Sequence, residues 1–203
     1  MIDAAAVAAN VDDVRRRIER AGGTGVEIVA VTKTFPSDAI TAAAGAGCRA
    51  IGENYAQELV AKLADLGPQP RPEVHFIGHL QSNKARAVDS ICELVHSVDT
   101  ESTARRLTVP ALLEVNLSGE AAKAGVAPDA IAGWLERFPG TSGLMTMPPL
   151  ADDPEASRPW FRRLAALATA HGLGELSMGT SQDWRVAVEE GATLIRVGST
   201  LFR

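Results

Sequence analysis

Eight short apolar segments, with stretches of helical spacing between them, constrain this chain more than any other feature of its sequence. They lie at 26–32, 49–52, 74–78, 94–98, 111–116, 143–147, 175–178 and 193–197. None shows the polar–apolar alternation of a half-exposed strand, so each reads as a strand buried on both faces. Helical stretches at 36–44, 54–66, 82–90, 100–107, 128–138, 154–171 and 181–190 separate them, and glycine or proline stops several of these. One further helix, 3–21, precedes the first strand, with Val7, Val11, Val14 and Ile18 on one stripe and Asp3 as its cap. Strand–helix alternation is the pattern of a parallel sheet covered by helices, and eight units point to a closed sheet. A doubly wound open sheet usually carries G-x-G-x-x-G after its first strand, and this chain does not. The expected fold is a (β/α)8 TIM barrel with an extra N-terminal helix, a single domain over residues 1–203.

The bulk numbers agree with that fold and exclude several functions. The chain has 203 residues, at the small end for a barrel of eight units. Its apolar fraction of 46% contains only three Trp, one Tyr and five Phe, which suits closely packed alanine-rich helices. The net charge of −5 speaks against nucleic acid as a partner, and the one basic run, Arg15-Arg16-Arg17, falls on the solvated face of the first helix. Cys48 and Cys92 sit in apolar surroundings without metal-like spacing and read as small buried hydrophobes; no metal site is expected. No apolar run is long enough to span a bilayer, and the first residues read as a helix and not as a signal peptide. A soluble, cytoplasmic protein is expected. The small net charge and the lack of an evident apolar patch lean towards a monomer.

In a barrel of this kind the site forms at the carboxyl ends of the strands. The first strand ends in Lys33. The second ends in Gly52-Glu53-Asn54, the third runs through His79 to Ser82, and the fifth ends in Glu114 and Asn116. After the seventh come Ser177, Gly179 and Ser181, and the eighth carries Arg196 followed by Gly198-Ser199. Serine and glycine at the ends of strands seven and eight, one pair leading into a helix, describe an anion site suited to phosphate. Arg196 is flanked by Leu194, Ile195 and Val197, so its charge should avoid the apolar helix seam and point into the barrel mouth. An ion pair with Glu53 or Glu114 is its structural alternative. Lys33 lies on the neighbouring strand, because in a closed barrel the first pairs with the eighth. A lysine can condense with an aldehyde. Lysine, phosphate cup and arginine together describe a pocket for pyridoxal 5′-phosphate (PLP), held as a Schiff base on Lys33, with Arg196 facing the pyridine nitrogen. Arginine cannot accept a proton, so that nitrogen would stay unprotonated and the ring would be a weaker electron sink than one paired with a carboxylate.

Seven stretches carry a resemblance that spans nearly the whole chain: Val29-Ala30-Val31-Thr32-Lys33-Thr34, Gly52 to Glu58, His75 to Lys84, Asn116 with Lys123-Ala124-Gly125, Gly143-Leu144-Met145, Leu176-Ser177-Met178-Gly179, and Arg196-Val197-Gly198-Ser199. In these the chain resembles the pyridoxal phosphate homeostasis family, related to the N-terminal barrel of alanine racemase. The resemblance implies a single barrel with PLP on Lys33 and Arg196 at the ring nitrogen. It implies that Ser177, Ser181, Gly198 and Ser199 hold the phosphate, and that Asn54 and Ser82 line the pocket. It also implies a role in keeping free PLP and related B6 vitamers in balance, without robust catalytic turnover and so with no catalytic residue assigned; PLP-dependent apo-enzymes are the implied recipients. The chain departs from the family at Thr180, at Trp184, at Ser199 where threonine is common, and in a short segment around Thr108-Val109-Pro110.

The rival reading is a PLP-dependent amino-acid racemase on the same barrel. Racemisation needs a base on each face of the cofactor, and the racemases that this barrel resembles take the second, a tyrosine, from a separate β-domain. This chain has no such domain, and its one tyrosine, Tyr55, is expected to start a helix and pack on the barrel.

Overall fold

The computed structural model describes residues 1–68, 70–120 and 122–203. The eight apolar segments form β1 (Glu27–Val31), β2 (Ala50–Glu53), β3 (Glu73–Phe76), β4 (Leu94–Val98), β5 (Ala111–Glu114), β6 (Thr141–Met145), β7 (Glu175–Thr180) and β8 (Leu194–Val197). Each pairs in parallel with the next, and β8 closes on β1 with Val29 opposite Arg196 and Ala30 opposite Val197. The fold is therefore the expected (β/α)8 barrel. Closure satisfies every strand edge within the sheet, which is why such short strands suffice.

Two apolar layers result. Alternate residues meet inside the barrel, where Val29, Ala50, Leu94, Leu112, Met145 and Leu194 form a compact plug. The other face of each strand packs on the helices α2 (Asp38–Gly45), α3 (Ala56–Leu66), α4 (Ala85–Asp89), α5 (Glu101–Ala104), α6 (Ile131–Arg137), α7 (Arg158–Ala170) and α8 (Trp184–Glu189). Cys48 and Cys92 belong to this outer layer, where burial pushes their thiols up to about 11 and about 12 and makes them unreactive near neutral pH.

The extra helix α1 (Ala4–Arg20) buries Val7, Val11, Val14 and Ile18, as its spacing requires, at about 1.5–3 kcal/mol for each large side chain. Asp3 Oδ1 caps it by accepting from the amides of Ala5 and Ala6 at 3.0 and 3.1 Å. It packs on α2, α8 and a last short helix, α9 (Ser199–Phe202). Asn10 Nδ2 donates to the Leu201 carbonyl at 3.1 Å, and Asp38 Oδ2 accepts from the Ile2 amide at 2.9 Å. These contacts bind the elements that follow β1 and β8 into one wall.

Helix bounds differ from the sequence reading in one consistent way. Several helices start later, because the residues after each strand are used to shape the barrel mouth. Asn54 and Tyr55 stay outside α3, with Tyr55 extended at φ −125°. The stretches at 128–138 and 154–171 open with separate 3-10 turns, Pro128–Ala130 and Pro154–Ser157. Helix α9 was not expected, since four residues carry no period.

Candidate functional site

The carboxyl ends of the strands surround a cleft of about 570 Å³, with Lys33, Asn54, Glu114, Ser181, Arg196 and Ser199 in its wall. Lys33 stands two residues beyond β1. Its side chain makes no hydrogen bond or ion pair among the described residues. The turn that presents it is unusual. Thr34 has φ +65°, the only non-glycine residue on the left-handed side among those described. A β-branched residue adopts that conformation only when its surroundings enforce it. Glu58 Oε1 accepts from the Thr34 amide at 2.6 Å, and Phe35 packs on Phe202 with ring centroids 5.0 Å apart.

Beneath Lys33 lies a second lysine with the opposite character. Lys62 is buried on the inner face of α3 and donates to the Thr32 carbonyl at 2.6 Å. Its ammonium also meets Glu53 Oε1 at 2.7 Å and Glu58 Oε1 at 2.6 Å. Thr32 Oγ1 donates to the same Glu53 oxygen at 2.6 Å. Burial pushes the Glu53 carboxyl above its ordinary value, against the pull of Lys62 and Thr32. One lysine thus clamps β1, β2 and α3 together immediately before the residue that enters the cleft.

Arg196 is 5% exposed. Its Nη1 donates to Ser177 Oγ, and its Nη2 to the Thr146 carbonyl at 3.2 Å and the Met147 sulfur at 2.9 Å. No carboxylate pairs with it among the described residues, so the ion pair with Glu53 or Glu114 considered as an alternative is not formed. Burial lowers its pKa to about 10, which still leaves it charged at neutral pH. Glu114 sits at the end of β5, 8% exposed, its carboxyl without a hydrogen bond among the described residues, and burial followed by the Asp99 charge raises its pKa.

The ends of β7 and β8 form a cup. Ser181 Oγ accepts from the Gly198 amide at 3.1 Å, which leaves its own proton for a further acceptor. The amides of Ser199 and Thr200 open α9 and have no intrahelical acceptor. Asp183 rigidifies the approach: its Oδ1 accepts from the Thr180 amide at 2.7 Å, and its Oδ2 from Ser157 Oγ at 2.8 Å. Glycine is required at 179, where φ is +88° and a Cβ would come within 2.5 Å of the Ala187 Cβ. Across the mouth, Gly78 lets β3 press on β2, because a Cβ there would meet the Asn54 carbonyl at 2.2 Å. Asn54 Oδ1 is left buried without a partner.

The structure brings Lys33, Asn54, Ser181, Arg196, Gly198 and Ser199 together in one wall. It does not bring Ser82 or Ser177 to that wall. Ser82 is half-buried in the turn before α4. Ser177 is fully buried below Arg196, its hydroxyl committed to Arg196 and to His96 Nδ1 at 2.7 Å. Its expected place at the phosphate is therefore corrected to a support beneath the arginine. Tyr55 does not pack on the barrel as expected. It is 58% exposed and outside the cleft, at the extended residue before α3. Sequence reading missed Lys62 and His96. The Glu58–Lys62 spacing of four was a legible pair on α3, whereas the partners of His96 come from two other strands.

The cleft's inventory is an uncommitted primary amine, a buried guanidinium with no carboxylate, an unpartnered amide oxygen and a cup of free donors. It fits an aldehyde that carries a phosphate and a hydrogen-bond acceptor. No group of three or more His, Cys, Asp or Glu residues able to hold a metal occurs among the described residues, and none of their helices is long and apolar enough to cross a membrane.

Comparison with known proteins places this geometry. Residues 2–203 match the model of the alanine racemase N-terminal domain. The pyridoxal phosphate homeostasis protein of Vibrio cholerae is 37% identical over 218 aligned positions, covering 97% of this chain and 92% of that one. PipY of Synechococcus elongatus, solved with PLP bound, superposes with a TM-score of 0.85 at 35% identity, over 97% of this chain and all of that one. Alanine racemase of Corynebacterium glutamicum shares the fold, with a TM-score of 0.72 at 22% identity, but this chain covers 60% of it.

Proposed function

The chain belongs to the alanine racemase N-terminal domain family and, within it, to the pyridoxal phosphate homeostasis proteins, and from that premise we propose that it binds PLP in the barrel mouth and keeps the supply of this cofactor and related B6 vitamers in balance. The observation that carries this reading is the contrast inside one wall: among the described residues, the buried Arg196 meets no carboxylate and the Lys33 side chain beside it has no partner. Natural chains seldom leave two cations so, unless a ligand completes them.

Lys33 supplies the amine that holds the aldehyde carbon as a Schiff base. Arg196 donates to the pyridine nitrogen and, being unable to take a proton from it, keeps that nitrogen unprotonated. Ser181 Oγ and the amides around Gly198 and Ser199 receive the phosphate, and Asn54 borders the ring. When bound, PLP supplies an electron-withdrawing ring and an exchangeable imine bond. The clamp of Lys62 on Thr32 and Glu53 fixes the backbone from which the Lys33 side chain projects. PLP-dependent apo-enzymes are the recipients in this reading, and the protein acts as a cytoplasmic monomer. Racemisation is disfavoured because Tyr55, the one tyrosine, is outside the cleft.

The test is an absorbance spectrum of the purified protein with PLP, before and after borohydride reduction, followed by peptide mapping. A visible band that reduction removes, with the added mass on Lys33, is the expected result. Absence of the band, or a reduced adduct on another lysine, sinks the proposal. Loss of optical activity from L-alanine at ordinary enzyme rates promotes the racemase instead.

A further inference from the structure

Below the cleft, the barrel interior holds a polar column that binding of a cofactor does not by itself require. Ser177 on β7, His96 on β4 and His75 on β3 are all buried, at 0%, 0% and 4% exposure. Arg196 Nη1 meets Ser177 Oγ. Ser177 Oγ meets His96 Nδ1 at 2.7 Å, His96 Nε2 meets His75 Nδ1 at 3.0 Å, and His75 Nε2 lies 3.7 Å from Glu73 Oε2 at the opposite end of the barrel.

The chemistry of the first member fixes the direction of the whole. Arginine has five N–H donors and no acceptor, so Ser177 must accept from it. The Ser177 proton then has one acceptor among the described neighbours, His96 Nδ1; any other arrangement leaves a buried hydroxyl proton unsatisfied. With Nδ1 accepting, a neutral His96 carries its proton on Nε2 and donates it to His75 Nδ1. His75 in turn carries its proton on Nε2, directed at the Glu73 carboxylate. The reverse polarity would place two lone pairs face to face at that last step. Neutrality is enforced as well, since burial and the neighbouring Arg196 charge both oppose a second cation at His96.

We infer that Ser177 and His96 are positioning residues for Arg196, the head of a one-way hydrogen-bond chain, Arg196 to Ser177 to His96 to His75, in which both imidazoles are neutral with the proton on Nε2. The chain holds one edge of the guanidinium from below and so presents its remaining donors to the cleft. What those donors meet there rests on the PLP reading; the chain itself does not.

Two measurements separate the two claims. In the PLP-free protein with 15N-labelled histidine, long-range proton–nitrogen correlations at neutral pH report the tautomers. His75 and His96 both as Nε2–H forms are expected; either ring as the Nδ1–H form, or as imidazolium, overturns the chain whether or not PLP binds. Titration with PLP then reads its consequence, with circular dichroism confirming that each variant folds. Ser177→Ala and His96→Leu should each weaken PLP about tenfold and shift the absorbance maximum of the bound cofactor. His96→Asn, whose amide oxygen can still accept from Ser177, should recover most of both effects. Wild-type affinity and absorbance in folded Ser177→Ala overturn the positioning role. If the wild-type protein takes up no PLP, the cofactor reading has failed, and the tautomers alone decide the chain.

Discussion

Lys33 and Lys62 lie on either side of the same turn, and the protein treats them in opposite ways. Lys62 is buried and saturated, with two carboxylates and a carbonyl within 2.7 Å. Lys33 enters the cleft with no side-chain partner among the described residues. The arginines repeat the contrast. Arg158 on the outer surface meets Glu155, Glu189 and Glu190, whereas Arg196 in the interior meets no carboxylate among the described residues. Lys62 and Arg158 are neutralised by carboxylates of the chain itself. In the reading proposed above, Lys33 and Arg196 are left for a ligand to complete.

The largest expected effect breaks the contrast at its functional pole. Lys33→Ala should abolish the adduct that borohydride fixes while leaving thermal unfolding nearly unchanged, because the side chain makes no contact that the fold needs. A marked fall in the melting temperature would show that Lys33 is structural after all.

Lys62→Met tests the structural pole. It leaves the Glu53 carboxyl, 0% exposed, without its cation, a loss of about 3–5 kcal/mol for a broken buried pair. Urea unfolding of Lys62→Met beside Lys62→Met/Glu53→Gln measures this. The double variant should recover part of the loss, since the glutamine amide removes the buried charge that the single variant strands. Equal stabilities would mean that Lys62 acts only by packing.

Arg196→Met should separate stability from binding. Removing a buried charge that no carboxylate compensates should raise the unfolding free energy by on the order of 1 kcal/mol, as exchange of buried charges for apolar groups often does. PLP affinity should fall at the same time. A variant that loses both would place Arg196 with Lys62 among the structural cations.

Sequence and structure agree best where one residue's chemistry suffices. The barrel was legible because eight buried segments leave few ways to cover both faces of a sheet. The placement of Lys33 and Arg196 at the barrel mouth was legible because strand ends in a barrel converge, and a lone charge among Leu194, Ile195 and Val197 has one place to go. Ser177 was misread because inward and upward differ by one layer of side chains. A serine at the end of β7 could reach the cup or support the arginine, and only the register of β7 against β8, which shifts between Ser177 and Thr180, decides. His96 was illegible for a related reason, and so was the contact of Lys62 with Glu53. These partners lie on other elements, and a sequence without its register does not say which buried polar groups meet.

The smallest effect concerns pH. His96 and His75 are held neutral in the fold, with their pKa values pushed below the ordinary histidine value chiefly by burial. In the unfolded chain both take up protons below about pH 6.5, so there the unfolded state binds more protons and stability falls as pH falls. At pH 6 the cost is about 0.8 kcal/mol for a histidine that stays fully neutral in the fold. Glu27, Glu53 and Glu114 act in the opposite sense. Burial raises their pKa values, so in the fold they keep protons that the unfolded chain has lost above about pH 4.5, and their contribution falls as pH rises from there. The two slopes partly cancel in the whole protein, so the measurement must isolate one of them. His96→Gln removes a single histidine from the balance. Its unfolding free energy, compared with wild type in urea between pH 5 and 8, should run parallel above pH 7 and converge towards wild type below 6.5. Parallel curves throughout would mean that His96 takes up its proton equally in both states, which its place between Ser177 and His75 forbids.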